Sequence, residues 1–108
     1  MAQQPESLPT VRSGQFDALR SRFVEGLPAR LREILGTSGG PEVCAALHRM
    51  AGAAGSFGFP EIGDTARWAE RALASNDPME SQKALASLGD LVRATVKQTE
   101  AGRVEPLA

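Results

Sequence analysis

The residue best suited to nucleophilic chemistry is His48, the one histidine of the chain, in the stretch CAALHRMAGAAGSFG (residues 44–58). An exposed imidazole is largely neutral at neutral pH, and its free ring nitrogen is then a competent nucleophile. The sequence places no acid three or four residues from His48, and it contains no glycine-rich loop of the kind that holds ATP. His48 therefore needs a partner that brings an activated group to it.

The sequence also contains few residues that could bind a metal ion. One cysteine, Cys44, excludes an internal disulfide and a cysteine-based metal site, and one histidine excludes a histidine pair for zinc. We expect no metal site and no cofactor, and we expect Cys44 to be a small, inert residue.

Composition predicts a single globular domain. The 108 residues are 42% hydrophobic and 23% charged, and a chain of this length can bury a core without staples. A net charge of −1 argues against nucleic acid and anionic membranes as partners. No apolar run approaches the ~20 residues that span a bilayer, and the N-terminus lacks a signal core, so a cytoplasmic location is expected.

The elements that must position His48 are helices. Apolar residues recur every three or four positions, and strand signals are nearly absent. The pattern predicts four helices, over about 15–36, 41–56, 60–75 and 78–101, the last three each opened by a proline. Short loops between them predict an all-α, up-down antiparallel four-helix bundle.

Three features qualify that bundle. Pro28 interrupts the apolar stripe Phe16, Leu19, Phe23, Leu27, Leu31, Ile34 and Leu35 without changing its phase. We therefore predict one helix kinked at Pro28, in preference to two helices that meet there. Residues 1–13 are expected to form a flexible lead-in and residues 102–108 a frayed tail. Trp68 is expected to cover the core rather than to anchor a partner.

The second helix has two contrasting faces. Its predicted core stripe is Val43, Leu47, Met50, Ala54 and Phe57, and His48 lies about 140° from the centre of that stripe. The helical neighbours of His48 are all small: Cys44, Ala45, Ala51, Gly52 and Gly55. Each exposed glycine inside a helix costs about 1 kcal/mol relative to alanine. We interpret these five residues as a docking surface for another protein, although small residues can also serve close packing between helices.

The segments LHRMAGAAGSFGF and IGDTARWAERAL together resemble the histidine phosphotransfer (HPt) family of two-component phosphorelays. The family pattern is a histidine, an apolar residue two later, a lysine three later and a glycine four later, then a further glycine and a helix with a small residue before an acid. His48, Met50, Gly52, Gly58 and the stretch WAERAL match this pattern, whereas Ala51 occupies the lysine position. The resemblance covers roughly residues 15–101, and we assign residues 14–101 to the HPt-like domain.

The resemblance implies a phosphocarrier without an ATP site of its own. Its partners would be response-regulator receiver domains or a hybrid histidine kinase, with Mg²⁺ on the receiver, and we expect the chain to be a monomer. His48 would carry the phosphoryl group. In place of the missing lysine, Arg49 is the nearest candidate to neighbour the phosphate, and Arg67 and Arg71 on the third helix are weaker candidates. The alternative is a helical adaptor that binds a receiver or a kinase without being phosphorylated.

Overall fold

Four helices account for almost all of the backbone that the computed structural model describes, which is residues 3–36 and 40–104, with side-chain surroundings described for 14–36 and 40–100. The helices are α1 (Gln3–Gly36), α2 (Pro41–Ser56), α3 (Pro60–Ala74) and α4 (Pro78–Val104). These described ranges contain no strand. The predicted all-α four-helix class is confirmed.

The starts of α2, α3 and α4 follow from local sequence. A proline occupies the first turn of each, where its missing N–H has no intrahelical partner to lose. Asp77 caps α4, because its carboxylate accepts a hydrogen bond from the backbone N–H of Glu80 at 3.1 Å. Gly58 precedes α3 with φ of 84°, a left-handed conformation that glycine adopts without a steric penalty.

The first helix is longer than predicted. It begins at Gln3 rather than near residue 15, and it is continuous through Pro28. Val24, Leu27 and Leu31 are buried on both sides of the proline, and their burial offsets the lost backbone hydrogen bond of about 3 kcal/mol. The kink itself stays a prediction. Side chains of residues 1–13 lie outside the described residues, so the flexible lead-in also stays a prediction.

The last helix also exceeds its predicted end at residue 101 and runs to Val104. Residues 105–108 lie outside the described part of the chain, and the frayed tail is untested.

The helices form a closed ring in which α2 and α4 each pack beside both α1 and α3. Short turns at residues 57–59 and 75–77 join α2 to α3 and α3 to α4, as in an up-down bundle. The largest fully buried side chains are those of Leu27, Leu47, Met50, Ile62, Leu88 and Val92. Helix α3 instead buries mainly small residues, namely Gly63, Ala66, Ala69 and Ala72. Its backbone can therefore approach its neighbours closely.

Not all of the predicted α1 stripe is buried. Phe16, Leu19 and Leu35 are exposed, because they lie toward the ends of the packed part of α1. Phe16 still contacts Phe57, with 5.7 Å between the ring centroids. Trp68 is half-buried against the core, as predicted, and its indole N–H donates a hydrogen bond to Glu80 at 3.0 Å. No helix in the described residues is long and apolar enough to cross a membrane.

Candidate functional site

His48 lies on the outer surface of α2. Its neighbours Leu47 and Met50 are buried in the core, together with Val43 and Ala54, whereas the His48 side chain is 78% exposed. The orientation of α2 predicted from the helical wheel is therefore confirmed: one face packs in the core, and the opposite face carries the exposed imidazole. Phe57, the last residue of the predicted core stripe, is half-buried and packs against the core.

A carboxylate from the neighbouring helix contacts the imidazole. Glu70 of α3 places both of its carboxylate oxygens 3.4 Å from Nδ1 of His48. An ionised carboxylate can only accept a hydrogen bond, so this contact favours the tautomer with a proton on Nδ1. The lone pair is then on Nε2, the other ring nitrogen. The contact with Glu70 thus favours Nε2 as the nitrogen with a free lone pair.

Reasoning from the sequence missed Glu70. No acid lies one turn from His48 on its own helix, and the partner instead comes from α3, 22 residues later. A signal was available in the matched stretch WAERAL, where Ala69 precedes Glu70 as the small residue before the acid.

The surface around the imidazole is bare. We call the exposed side of α2 formed by Ala45, His48, Arg49, Gly52 and Gly55 the histidine face. A Cβ atom added to Gly52 or to Gly55 would meet nothing within 4 Å. Packing inside the protein therefore does not require glycine at either position. Close packing between helices, the alternative explanation of small residues, does not apply to these two glycines.

Two residues predicted for the docking surface are less exposed than the rest. Ala51 is 1% exposed and belongs to the core, so its assignment to the docking surface is wrong. The reason is that α2 packs against α3 as well as α1, which widens its buried face beyond the single apolar stripe. Cys44 is half-buried, with Sγ 4.0 Å from the backbone carbonyl oxygen of Glu70. It lies one turn before His48, and its place in the docking surface stays a prediction.

The candidate cations differ in their partners. Arg67 is exposed and forms an ion pair with Asp64 at 3.3 Å, one turn earlier on α3. Arg71 is also exposed. Within the described residues, no hydrogen bond or ion pair engages the guanidinium of Arg49, which is next to His48 on the histidine face. Arg49 is accordingly the more available of the two predicted neighbours of the phosphate.

Metal ligands are not grouped in the part of the chain that the structure describes, where no three His, Cys, Asp or Glu side chains could hold one ion. The chemical feature that the site does present is an exposed imidazole beside a carboxylate.

The chain is similar to a known protein family. The model of the Hpt domain family matches residues 18–102, which includes His48, Glu70 and most of all four helices. None of the curated proteins or solved structures compared matches the chain. Because the family match covers more than half of the chain, this protein belongs to the Hpt domain family.

Proposed function

We propose that this protein relays a phosphoryl group between receiver-domain aspartates, or from a hybrid kinase, with Nε2 of His48 as the carrier atom. The observation that carries the proposal is the contact of Nδ1 with the Glu70 carboxylate on an otherwise exposed imidazole. That contact supplies what a histidine nucleophile needs, a fixed ring with a free and outward nitrogen.

Glu70 has two roles in the proposed reaction. Before transfer, it accepts a hydrogen bond from Nδ1–H and so leaves the lone pair on Nε2. As the bond from Nε2 to phosphorus forms, the ring gains positive charge, and the adjacent carboxylate stabilises that charge. In serine hydrolases a carboxylate likewise fixes the tautomer of an imidazole and stabilises the charged ring.

The transfer step is a displacement at phosphorus. The Nε2 lone pair attacks the phosphorus of an aspartyl phosphate on a receiver, the bond from phosphorus to the aspartate oxygen breaks, and the aspartate carboxylate leaves with the electron pair. The reverse step delivers the group to the aspartate of a second receiver. Mg²⁺, bound by the receiver, supplies neutralisation of the charge on the phosphoryl oxygens.

The histidine face suits the approach of a second protein. Reacting atoms must come within about 3.5 Å of each other, so both protein surfaces must fit around one phosphorus atom. Ala45, Gly52 and Gly55 leave room beside the imidazole, and Arg49 offers a cation to the phosphoryl oxygens. We further propose that the protein acts as a cytoplasmic monomer.

The deciding experiment is incubation with phosphorylated receiver domains, followed by detection of an acid-labile, base-stable phosphate on this chain. His48→Gln should abolish the label and change the free energy of unfolding by about 0.5 kcal/mol or less, because the side chain is exposed. The matched control is Lys97→Gln, an exposed position on α4 that should keep the wild-type label. A label that persists in His48→Gln would refute the carrier role.

A second candidate function is that of an adaptor that binds a receiver or a kinase without being phosphorylated. Its support is that the buried Ala51 occupies the position of the family's lysine. An adaptor would bind receiver domains with the wild-type chain unlabelled and with His48→Gln binding equally well. The same incubation, combined with a binding measurement, therefore separates the two functions.

A further inference from the structure

Helices α2 and α3 approach most closely at Gly63. A Cβ atom added there would lie 3.3 Å from the backbone carbonyl oxygen of Ala51 and 3.8 Å from the Cβ of Ala54. The first distance is tighter than nine in ten real Cβ contacts, and the obstacle is helix backbone, which cannot rotate away as a flexible side chain can. Glycine at this position therefore permits the observed separation of the two helices.

This close approach bears directly on the imidazole. Gly63 and Glu70 are seven residues apart, two turns along the same side of α3, and both face α2. The Glu70 carboxylate is 3.4 Å from Nδ1 of His48, near the outer limit of a hydrogen bond. A small increase in the distance between the helices would therefore weaken this contact.

We propose that Gly63 is a positioning residue for phosphotransfer: it sets the separation of α2 and α3 that holds Glu70 at hydrogen-bond distance from Nδ1 of His48. The inference rests on the proposed function, in which Nε2 accepts the phosphoryl group. Gly63 touches neither the imidazole nor the phosphoryl group, and it acts only through Glu70.

The test compares two substitutions in buried helical glycines. Gly63→Ala places a methyl group against helix backbone, whereas Gly89→Ala places one against the exposed, flexible side chain of Arg93. Both variants replace helical glycine with alanine, so both gain helix propensity equally. Nitrogen-15 NMR of the imidazole then measures the fraction of His48 with its proton on Nδ1. That fraction should fall in Gly63→Ala and equal the wild-type value in Gly89→Ala.

Kinetics supply a second, independent readout. The rate of phosphoryl acceptance from a receiver should fall roughly threefold in Gly63→Ala, because displacements of well under 1 Å already slow oriented reactions. In a Glu70→Ala background, Gly63→Ala should cause no further loss. An unchanged tautomer fraction in Gly63→Ala, or an equal kinetic loss without Glu70, would overturn the proposal. A wild-type chain that accepts no phosphate would instead overturn the proposed function, and the tautomer measurement would still decide the role of Gly63.

Discussion

The carboxylate of Glu70 can act on His48 through its acceptor oxygen, through its charge, or through both. In the proposed transfer, the acceptor oxygen would favour one tautomer, whereas the charge would stabilise the ring once phosphorus is bound to Nε2. Both oxygens lie 3.4 Å from Nδ1, and the Glu70 side chain is only 28% exposed, so its charge is less screened than that of a fully solvated acid. The two contributions can be separated by substitution.

Glu70→Gln retains an acceptor oxygen and removes the negative charge. We expect it to slow phosphoryl acceptance roughly tenfold, the loss typical of a residue that orients and tunes a reactive ligand, with the fold unchanged. Glu61→Gln is the matched control, because it removes the same charge from an exposed position on α3. Time courses of phosphoryl transfer from a phosphorylated receiver, quenched at intervals, measure both rates. If Glu70→Gln is as fast as Glu61→Gln, the charge plays no part in the transfer.

The site residues differ in how well the sequence predicts them. His48 is evident from its type and from the small residues around it, and its exposure is confirmed. Glu70 could not be paired with it by spacing, because the contact depends on the distance between two helices. That distance is set by Gly63 and by the backbone of Ala51, which a pattern of apolar residues does not describe.

At the scale of the element, α2 shows where a helical wheel is reliable and where it is not. Large side chains mark the face toward the centre of the bundle, and Val43, Leu47 and Met50 are buried as predicted. Small side chains carry little such signal. Ala45 and Ala51 both lie one turn from His48, yet Ala45 is exposed and Ala51 is buried against α3. Whether a neighbouring helix covers the position, rather than the residue type, determines which of the two alanines is buried.

The docking role of the histidine face can be tested by placing a large side chain on it. Gly55→Arg should keep or raise the melting temperature, because a Cβ there meets nothing within 4 Å and arginine has the better helix propensity by about 0.8 kcal/mol. It should nevertheless slow phosphotransfer strongly, since a long side chain would stand where a receiver must approach.

Gly14→Arg is the matched control for Gly55→Arg. Gly14 is an exposed helical glycine of α1 whose added Cβ also meets nothing within 4 Å. It should leave phosphotransfer at the wild-type rate. Equal effects of the two substitutions on transfer, or unfolding by Gly55→Arg, would contradict a docking role for the histidine face.

At the scale of the whole molecule, the contact of His48 with Glu70 is separate from α4. The site is built by α2 and α3, whereas α4 lies diagonally across the bundle from α2 and packs beside α1 and α3. The number and order of these helices followed from apolar periodicity and from proline at three helix starts. The length of α1 did not follow, because its polar first residues lack the apolar period that marks a packed helix.

This separation predicts that stability and phosphotransfer can be changed independently. Leu88 of α4 is fully buried, so Leu88→Ala should lower the free energy of unfolding by about 2–5 kcal/mol through lost burial and a cavity. Leu35→Ala is the matched control, because Leu35 is 54% exposed, and it should change that free energy by about 0.5 kcal/mol or less. Urea unfolding measures both.

At a temperature where the variant and the wild type are both folded, Leu88→Ala should accept a phosphoryl group from a receiver at the wild-type rate, within about twofold. The reason is that the contact of His48 with Glu70 is made between α2 and α3, and within the described residues no hydrogen bond or ion pair joins either side chain to α4. A transfer rate that falls together with the free energy of unfolding would show instead that the α4 core holds the two helices at their catalytic separation.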